Sequence, residues 1–136
     1  MAMAEHARRT ERRGAFFKAT KIFNKLVLPL AGTRLMPLYG VLEHRGRRSG
    51  KTYRTPVVVR LSKEGDLIVP MPWGLGTDWY RNVQAAGGCA MRWKGRTYQL
   101  TEPQVIDRAK AAAVFDSWQL GAMERFGIQY CLRLKR

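Results

Sequence analysis

The stretch AMRWKGRTYQL, residues 90–100, decides the fold, because it predicts two short strands joined by a tight turn. Residues 90–93 and 97–100 favour strand conformation, and residues 94–96 form the turn between them. Working outward, residues 54–61 and 66–70 make a second hairpin around a turn at 62–65. This pattern is typical of an antiparallel sheet.

The remaining segments add one strand and two helices. Residues 38–43 predict another strand, residues 78–86 a helix that begins at Thr77 or Asp78, and residues 108–118 an Ala-rich helix. The tail, residues 131–136, alternates Leu with Arg or Lys, which leaves a final strand and a basic extension both open. Short strands with a few helices predict a mainly β domain with flanking helices (α+β), a closed or partly open barrel.

An amphipathic basic helix is predicted near the amino terminus. Over residues 8–28, Phe16, Phe23 and Leu26 recur at helical spacing, and lysines occupy the opposite side. We therefore divide the chain into a basic helix at 1–30 and one barrel domain at 31–136. The helix either packs on the domain with a solvated basic side or contacts an anionic membrane peripherally.

Charge is the strongest compositional signal. The 136 residues carry 25 Lys or Arg against 10 Asp or Glu, a formal net charge of +15. Such an excess calls for an anionic counterpart, which nucleic acid, an anionic membrane or a phosphate- or carboxylate-bearing ligand would each supply. Two cysteines without a CxxC motif, and the absence of a signal peptide or an apolar run of about 20 residues, predict a cytoplasmic protein.

Two segments carry the candidate chemistry. HRGRRSGKTYRTP, residues 44–56, holds five Lys or Arg, no acid, and two glycines, which suits a loop that binds an oxyanion, although a solvated basic hairpin is the alternative. It is not a P-loop, because GxxxxGK[ST] is missing. PMPWGLGTDWYRN, residues 70–82, follows a strand and leads into a helix amino terminus, with core packing as the alternative for its aromatics.

Together the two segments resemble the deazaflavin (coenzyme F420)-dependent nitroreductase or quinone reductase family of the flavin-binding split-barrel superfamily. The likeness covers residues 38–103. It is most specific in Gly-Arg-x-Ser-Gly-Lys at 46–51 leading into Arg54-Thr55-Pro56, and in Asp-Trp-Tyr-x-Asn at 78–82. The resemblance implies an FMN-binding split-barrel-like fold and a reductase that passes a hydride from reduced F420 to an apolar acceptor such as a quinone or nitro compound.

The resemblance also assigns cofactor-binding residues. The basic loop would hold the cofactor's phosphate and acidic tail, the following strand would line one side of its ring, residues 70–73 would run along the ring edge, and the helix start would close the site. In chain order these residues are Arg47, Arg48, Ser49, Gly50, Lys51, Tyr53, Arg54, Thr55, Pro56, Val57, Val58, Pro70, Met71, Pro72, Trp73, Asp78, Trp79, Tyr80, Arg81 and Asn82.

The acceptor side departs from the family pattern. Relatives often carry a small polar residue and a Lys where Pro72 and Trp73 stand, and carboxy-terminal tyrosines close the acceptor pocket; here Trp118, Phe126 and Tyr130 are the candidates. This favours a quinone or another flat apolar acceptor over a nitro compound. We assign no catalytic acid or base and no metal ligands, and we interpret His44 as an ordinary loop histidine.

Three other functions compete. An OB-like nucleic-acid module would share the high pI and interleaved aromatics, but we expect no nucleic-acid partner. A membrane-held lipid or cofactor carrier without turnover would use the same barrel, as would an FMN-binding protein whose single phosphate suits the basic loop. The superfamily resemblance also implies a homodimer.

Overall fold

A computed structural model describes residues 31–35 and 37–136. Seven strands and three α-helices, numbered here in chain order, make up this part of the chain. The strands are β1 Tyr39–Arg45, β2 Thr52–Val58, β3 Arg60–Leu61, β4 Leu67–Pro70, β5 Gly88–Trp93, β6 Arg96–Asp107 and β7 Tyr130–Lys135; the helices are α1 Asp78–Ala86, α2 Arg108–Ala111 and α3 Ser117–Arg125.

All seven strands form one antiparallel sheet in the order β2-β1-β5-β6-β7-β4-β3. The two outer strands, β2 and β3, are separated in the chain only by Val59, so the sheet must curl to bring its edges together. Val59 is 1% exposed, and its N–H donates to the Leu38 carbonyl at 3.0 Å. The single strand predicted at 54–61 is therefore interrupted by a buried corner, and the sheet is a half-barrel.

Strand β6 is longer than the strand predicted at 97–100. Its first half pairs with β5 and its second half with β7, with a register shift between Thr101 and Gln104. Glu102 lies at this register shift with a φ of 50°, in the left-handed region that one residue of a β-bulge can adopt. The bulge bends the strand, so that one segment serves two parts of the barrel and accommodates Pro103.

The sheet is buried on both faces near β4 and β7. Leu67, Val69 and Leu132 face the main core inside the barrel, whereas Ile68 and Cys131 face a second cluster under α2 and α3. Neighbouring positions of a strand point to opposite faces, which explains why β4 is apolar throughout instead of alternating.

The helices confirm one prediction and correct another. Helix α1 has the predicted bounds and ends at Gly87, whose φ of 72° suits the left-handed residue after a helix. The continuous helix predicted at 108–118 is wrong, because Phe115 is extended and 7% exposed, filling the second cluster. Asp116 then caps α3 through a capping box with Gln119.

The sequence also leads to predictions for the two ends of the chain. The tail forms β7, so of the two alternatives left open by the sequence the final strand is the one observed. The basic helix predicted at 1–30 lies outside the described residues. Within 31–35 and 37–136, no helix is long and apolar enough to cross a membrane.

Candidate functional site

The basic loop, residues 46–51, closes the β1–β2 hairpin. The ladder ends at Arg45 opposite Thr52. Gly46 then donates to the Lys51 carbonyl at 2.8 Å, and Gly50 donates to the Gly46 carbonyl at 2.9 Å. Gly50 has a φ of +71°, a conformation that glycine adopts without strain, and this lets the chain turn back into β2. The turn leaves Arg48 and Ser49 at its exposed tip.

Arg47 ties the basic loop to α1. The Asn82 Oδ1 accepts hydrogen bonds from the Arg47 backbone N–H at 3.1 Å and from its guanidinium at 2.8 Å. The guanidinium also forms an ion pair with Asp78 at 3.3 Å. The Asp78 side chain is 85% exposed, so this pair adds little stability. The bonds to buried Asn82 are the ones that position the loop.

Beneath Asn82 lies a buried histidine. Asn82 Nδ2 is 3.0 Å from His44 Nδ1, and His44 Nε2 is 3.0 Å from the Thr55 hydroxyl. The Tyr53 ring stacks on the imidazole with centroids 5.7 Å apart. Burial lowers the pKa of His44, and the negative charge of Asp78 opposes this in part. The neutral imidazole is the form that this environment favours.

These residues enclose an open cleft of about 400 Å³. We call it the Arg47 cleft; its lining residues are His44, Gly46, Arg47, Arg48, Ser49, Tyr53, Asp78 and Asn82. Among the described residues, the side chains of Arg48 and of neighbouring Lys51 have no hydrogen-bond or ion-pair partner. The cleft thus presents uncommitted positive charge beside a fixed polar wall.

The predicted strand residues divide between two faces. The register sets Tyr53 opposite His44 and Thr55 opposite Leu42, so Tyr53, Thr55 and Val57 point to the barrel side. Arg54, Pro56 and Val58 point to the other face. A ligand on one face of β2 therefore contacts alternate residues of the predicted stretch, because strand side chains have a period of two.

The second predicted segment starts inside the barrel and ends in the cleft. Met71 is 1% exposed and its N–H donates to the Tyr130 carbonyl at 3.0 Å, directly after Pro70 at the end of β4. Pro72 and Trp73 are on the surface. None of residues 70–73 lines the Arg47 cleft. Further along, Trp79 and Tyr80 pack against the main core, Arg81 is exposed, and only Asp78 and Asn82 border the cleft.

The predicted acceptor residues are spread out. Trp118 and Phe126 are 64% and 70% exposed, at the start of α3 and just after its end. Tyr130, the first residue of β7, packs against the main core. None of the three borders the Arg47 cleft.

The interpretation of His44 as an ordinary loop histidine is wrong, because His44 lies on β1, is 7% exposed and has a hydrogen-bond partner at each ring nitrogen. Its bond to Asn82 spans 38 positions, a separation that no local motif reveals. Within the described part of the chain, no group of His, Cys, Asp or Glu has an arrangement suited to a metal ion.

The sequence model of the family named "F420H(2)-dependent quinone reductase" matches residues 18–120. The chain belongs to this family. It is an F420H2-dependent oxidoreductase whose cofactor is coenzyme F420.

Two solved structures resemble this family member in fold. One, an F420-H2 dependent reductase (FDR-A), has 16% identity and a TM-score of 0.52 over 72% of this chain and 94% of its own. The other, described as a domain-swapped dimer, has 14% identity and a TM-score of 0.52 over 92% and 99%. No match is found among curated proteins. The mainly β, split-barrel fold class is confirmed.

Proposed function

We propose that the Arg47 cleft binds the anionic end of F420, and that the chain passes a hydride from F420H2 to a flat apolar acceptor, a quinone in preference to a nitro compound. The observation that carries the proposal is the charge of Arg48 and Lys51, whose side chains have no partner within residues 31–35 and 37–136, beside a loop held in place by Asn82. A phosphate followed by glutamates is the kind of ligand that unpaired guanidinium and ammonium groups bind best.

The donor set fits such a ligand. Arg48 supplies a planar fork of donors, Lys51 a mobile point charge and Ser49 a hydroxyl, all on the exposed loop. Arg47 is largely committed to α1, which gives it a positioning part in addition to its charge. Because Asn82 fixes the loop before binding, less conformational entropy is lost when the anion arrives.

The role of the chain's own residues is to bind the cofactor and to orient it. F420H2, when bound, supplies the hydride. The Arg47 cleft anchors the polar tail, Tyr53 and Thr55 offer contacts on the barrel side of β2, and residues 70–73 would border the ring. By holding the cofactor in this way, these residues would set its distance and angle to the acceptor. Trp118, Phe126 and Tyr130 are proposed to shape the acceptor side and exclude water.

The test is Arg48→Ala combined with Lys51→Ala. We expect this double variant to bind F420 more weakly by about 2–4 kcal/mol in calorimetry, because it loses charge-assisted contacts. A matched control, Lys63→Ala combined with Lys110→Ala, removes two exposed charges that do not line the cleft. Unchanged affinity in the first variant, or an equal loss in the control, would overturn the assignment.

Further proposals concern assembly and surroundings. A homodimer is proposed because a structure of similar fold is described as a domain-swapped dimer. Peripheral contact with an anionic membrane through residues 1–30, and a cytoplasmic location, stay predictions. FMN, with one phosphate, is the second candidate ligand of the basic loop, and the same calorimetry with FMN discriminates it.

A further inference from the structure

His44 and Asn82 lie directly beneath the basic loop and are almost fully buried, at 7% and 4% exposure. Burying two polar side chains is costly unless each finds hydrogen-bond partners, and here each does. Neither contributes a charge to an anionic ligand. Their arrangement therefore calls for an explanation other than direct cofactor binding.

The hydrogen bonds have a single consistent direction. A guanidinium and a backbone N–H only donate, so the Asn82 oxygen must face Arg47 and its NH2 group must face His44. His44 Nδ1 then has to accept. Its one proton sits on Nε2, which donates to the Thr55 hydroxyl. This assignment follows from which groups can donate and which can accept. A second proton, on His44 Nδ1, would have no acceptor, because the Asn82 NH2 group faces that nitrogen.

We propose that His44 and Asn82 are positioning residues for the cofactor tail: neutral His44 holds the Asn82 amide in the orientation that keeps Arg47, and with it the basic loop, in the binding arrangement. This inference rests on the proposed function of the Arg47 cleft. Protonated His44 would donate from both nitrogens and would confront the Asn82 NH2 group. Acidification is thus expected to release the loop and weaken F420 binding.

The surroundings of His44 determine how it responds to pH. Burial disfavours protonation of His44, and Asp78 on α1 favours it. Arg47 and Arg48 of the basic loop line the same cleft as His44. The other titratable or charged neighbours are Glu43 and Arg45 on β1, Tyr53 on β2 and Cys89 on β5. Since burial lowers the His44 pKa, the unfolded chain binds more protons than the folded one below about pH 6.5. Stability should therefore fall as the pH drops through this range.

The experiment measures F420 affinity by calorimetry at pH 7.5 and pH 5.5 for the full chain and three variants. His44→Asn keeps an acceptor oxygen near the Nδ1 position, and His44→Leu removes it. Asn82→Asp replaces the donor toward His44 by an acceptor, which stabilises the doubly protonated ring. Circular dichroism at each pH confirms that the titrated protein is folded.

We expect the wild type to bind F420 more weakly at pH 5.5 than at pH 7.5, because the fraction of His44 that carries a second proton rises as the pH falls. His44→Asn should bind well at both pH values and lose this dependence. His44→Leu should bind weakly at both. In Asn82→Asp, the nitrogen NMR shifts of His44 should show the doubly protonated ring at a higher pH than in the wild type.

Binding by His44→Leu equal to wild type at both pH values would overturn the positioning inference, as would an unchanged His44 titration in Asn82→Asp. If His44→Leu fails to fold, the Asn82→Asp titration and the His44→Asn pH profile decide. The proposed function fails separately: Arg48→Ala combined with Lys51→Ala would then bind F420 normally, whatever the His44 variants do.

Discussion

The Arg47 cleft and the α3 aromatic pair, Trp118 and Phe126, show two different ways of placing candidate site residues. In the cleft, hydrogen bonds of 2.8–3.1 Å join residues 35 positions apart, and a buried histidine supports them from below. The aromatic pair is 64% and 70% exposed, at the start of α3 and just after its end, and α3 covers a small cluster. The cleft residues are held in place by hydrogen bonds to one another, whereas the aromatic pair is largely exposed.

This contrast indicates which part of a binding site has to be rigid. A polar ligand needs donors at defined positions, which requires a rigid scaffold beneath them. A flat apolar acceptor needs surface and shape, and exposed aromatic rings supply this at little cost in stability.

The scaffold of the cleft includes Leu42, which is fully buried in the main core and lies opposite Thr55. Leu42→Ala should lower the free energy of unfolding by about 2–5 kcal/mol, because it removes buried methyl groups and leaves a cavity. Urea denaturation measures this. Leu61→Ala, at a residue 48% exposed, is the control and should change stability by less than about 0.5 kcal/mol. Similar losses in both variants would show that the barrel interior is not the scaffold.

The aromatic pair should matter for the acceptor alone. Trp118→Ala combined with Phe126→Ala is expected to raise KM for an apolar quinone by about 3–10-fold, the scale of a lost aromatic contact, with little loss of stability. The affinity for F420 should stay unchanged. Steady-state kinetics at saturating F420H2 gives KM, and calorimetry gives the cofactor affinity. An unchanged KM would remove the pair from the acceptor side.

The smallest effect is expected at the two cysteines, one near each region. Burial raises the pKa of Cys89 to about 12 and that of Cys131 to about 12. Only about one thiol in ten thousand is then ionised at pH 8, and thiolate is the reactive form. A chromogenic disulfide reagent should label neither cysteine in the native protein and both in urea. Rapid native labelling of Cys131 would show that the second cluster opens.

Much of the fold could be predicted from the sequence because its signals are local. Turn residues at 62–65 and 94–96 mark two hairpins, and Gly87 marks the end of α1. The break at Phe115 escaped prediction, since its extended conformation depends on the second cluster that it fills. A local signal for α3 was nevertheless present in the pair Asp116 and Gln119 three positions apart.

The candidate site was predictable where its residues form one motif and unpredictable where they meet through the fold. The basic loop and the start of α1 each have a distinctive composition, and the structure brings Arg47 to Asn82. The burial of His44 was not predicted, because its hydrogen-bond partner Asn82 lies 38 positions away in the chain. Residues 70–73 were also assigned to the site from the motif. They begin where β4 ends, at Pro70, and none of them lines the Arg47 cleft.

The central claim is that the basic loop recognises the acidic tail of F420. The most direct measurement is a thermodynamic cycle in which wild type and Arg48→Ala combined with Lys51→Ala each bind F420 and the same deazaflavin without phosphate and glutamates. We predict that the wild type prefers F420 strongly and that the variant loses most of this preference while binding the truncated ligand as the wild type does. An equal loss for both ligands would contradict the account.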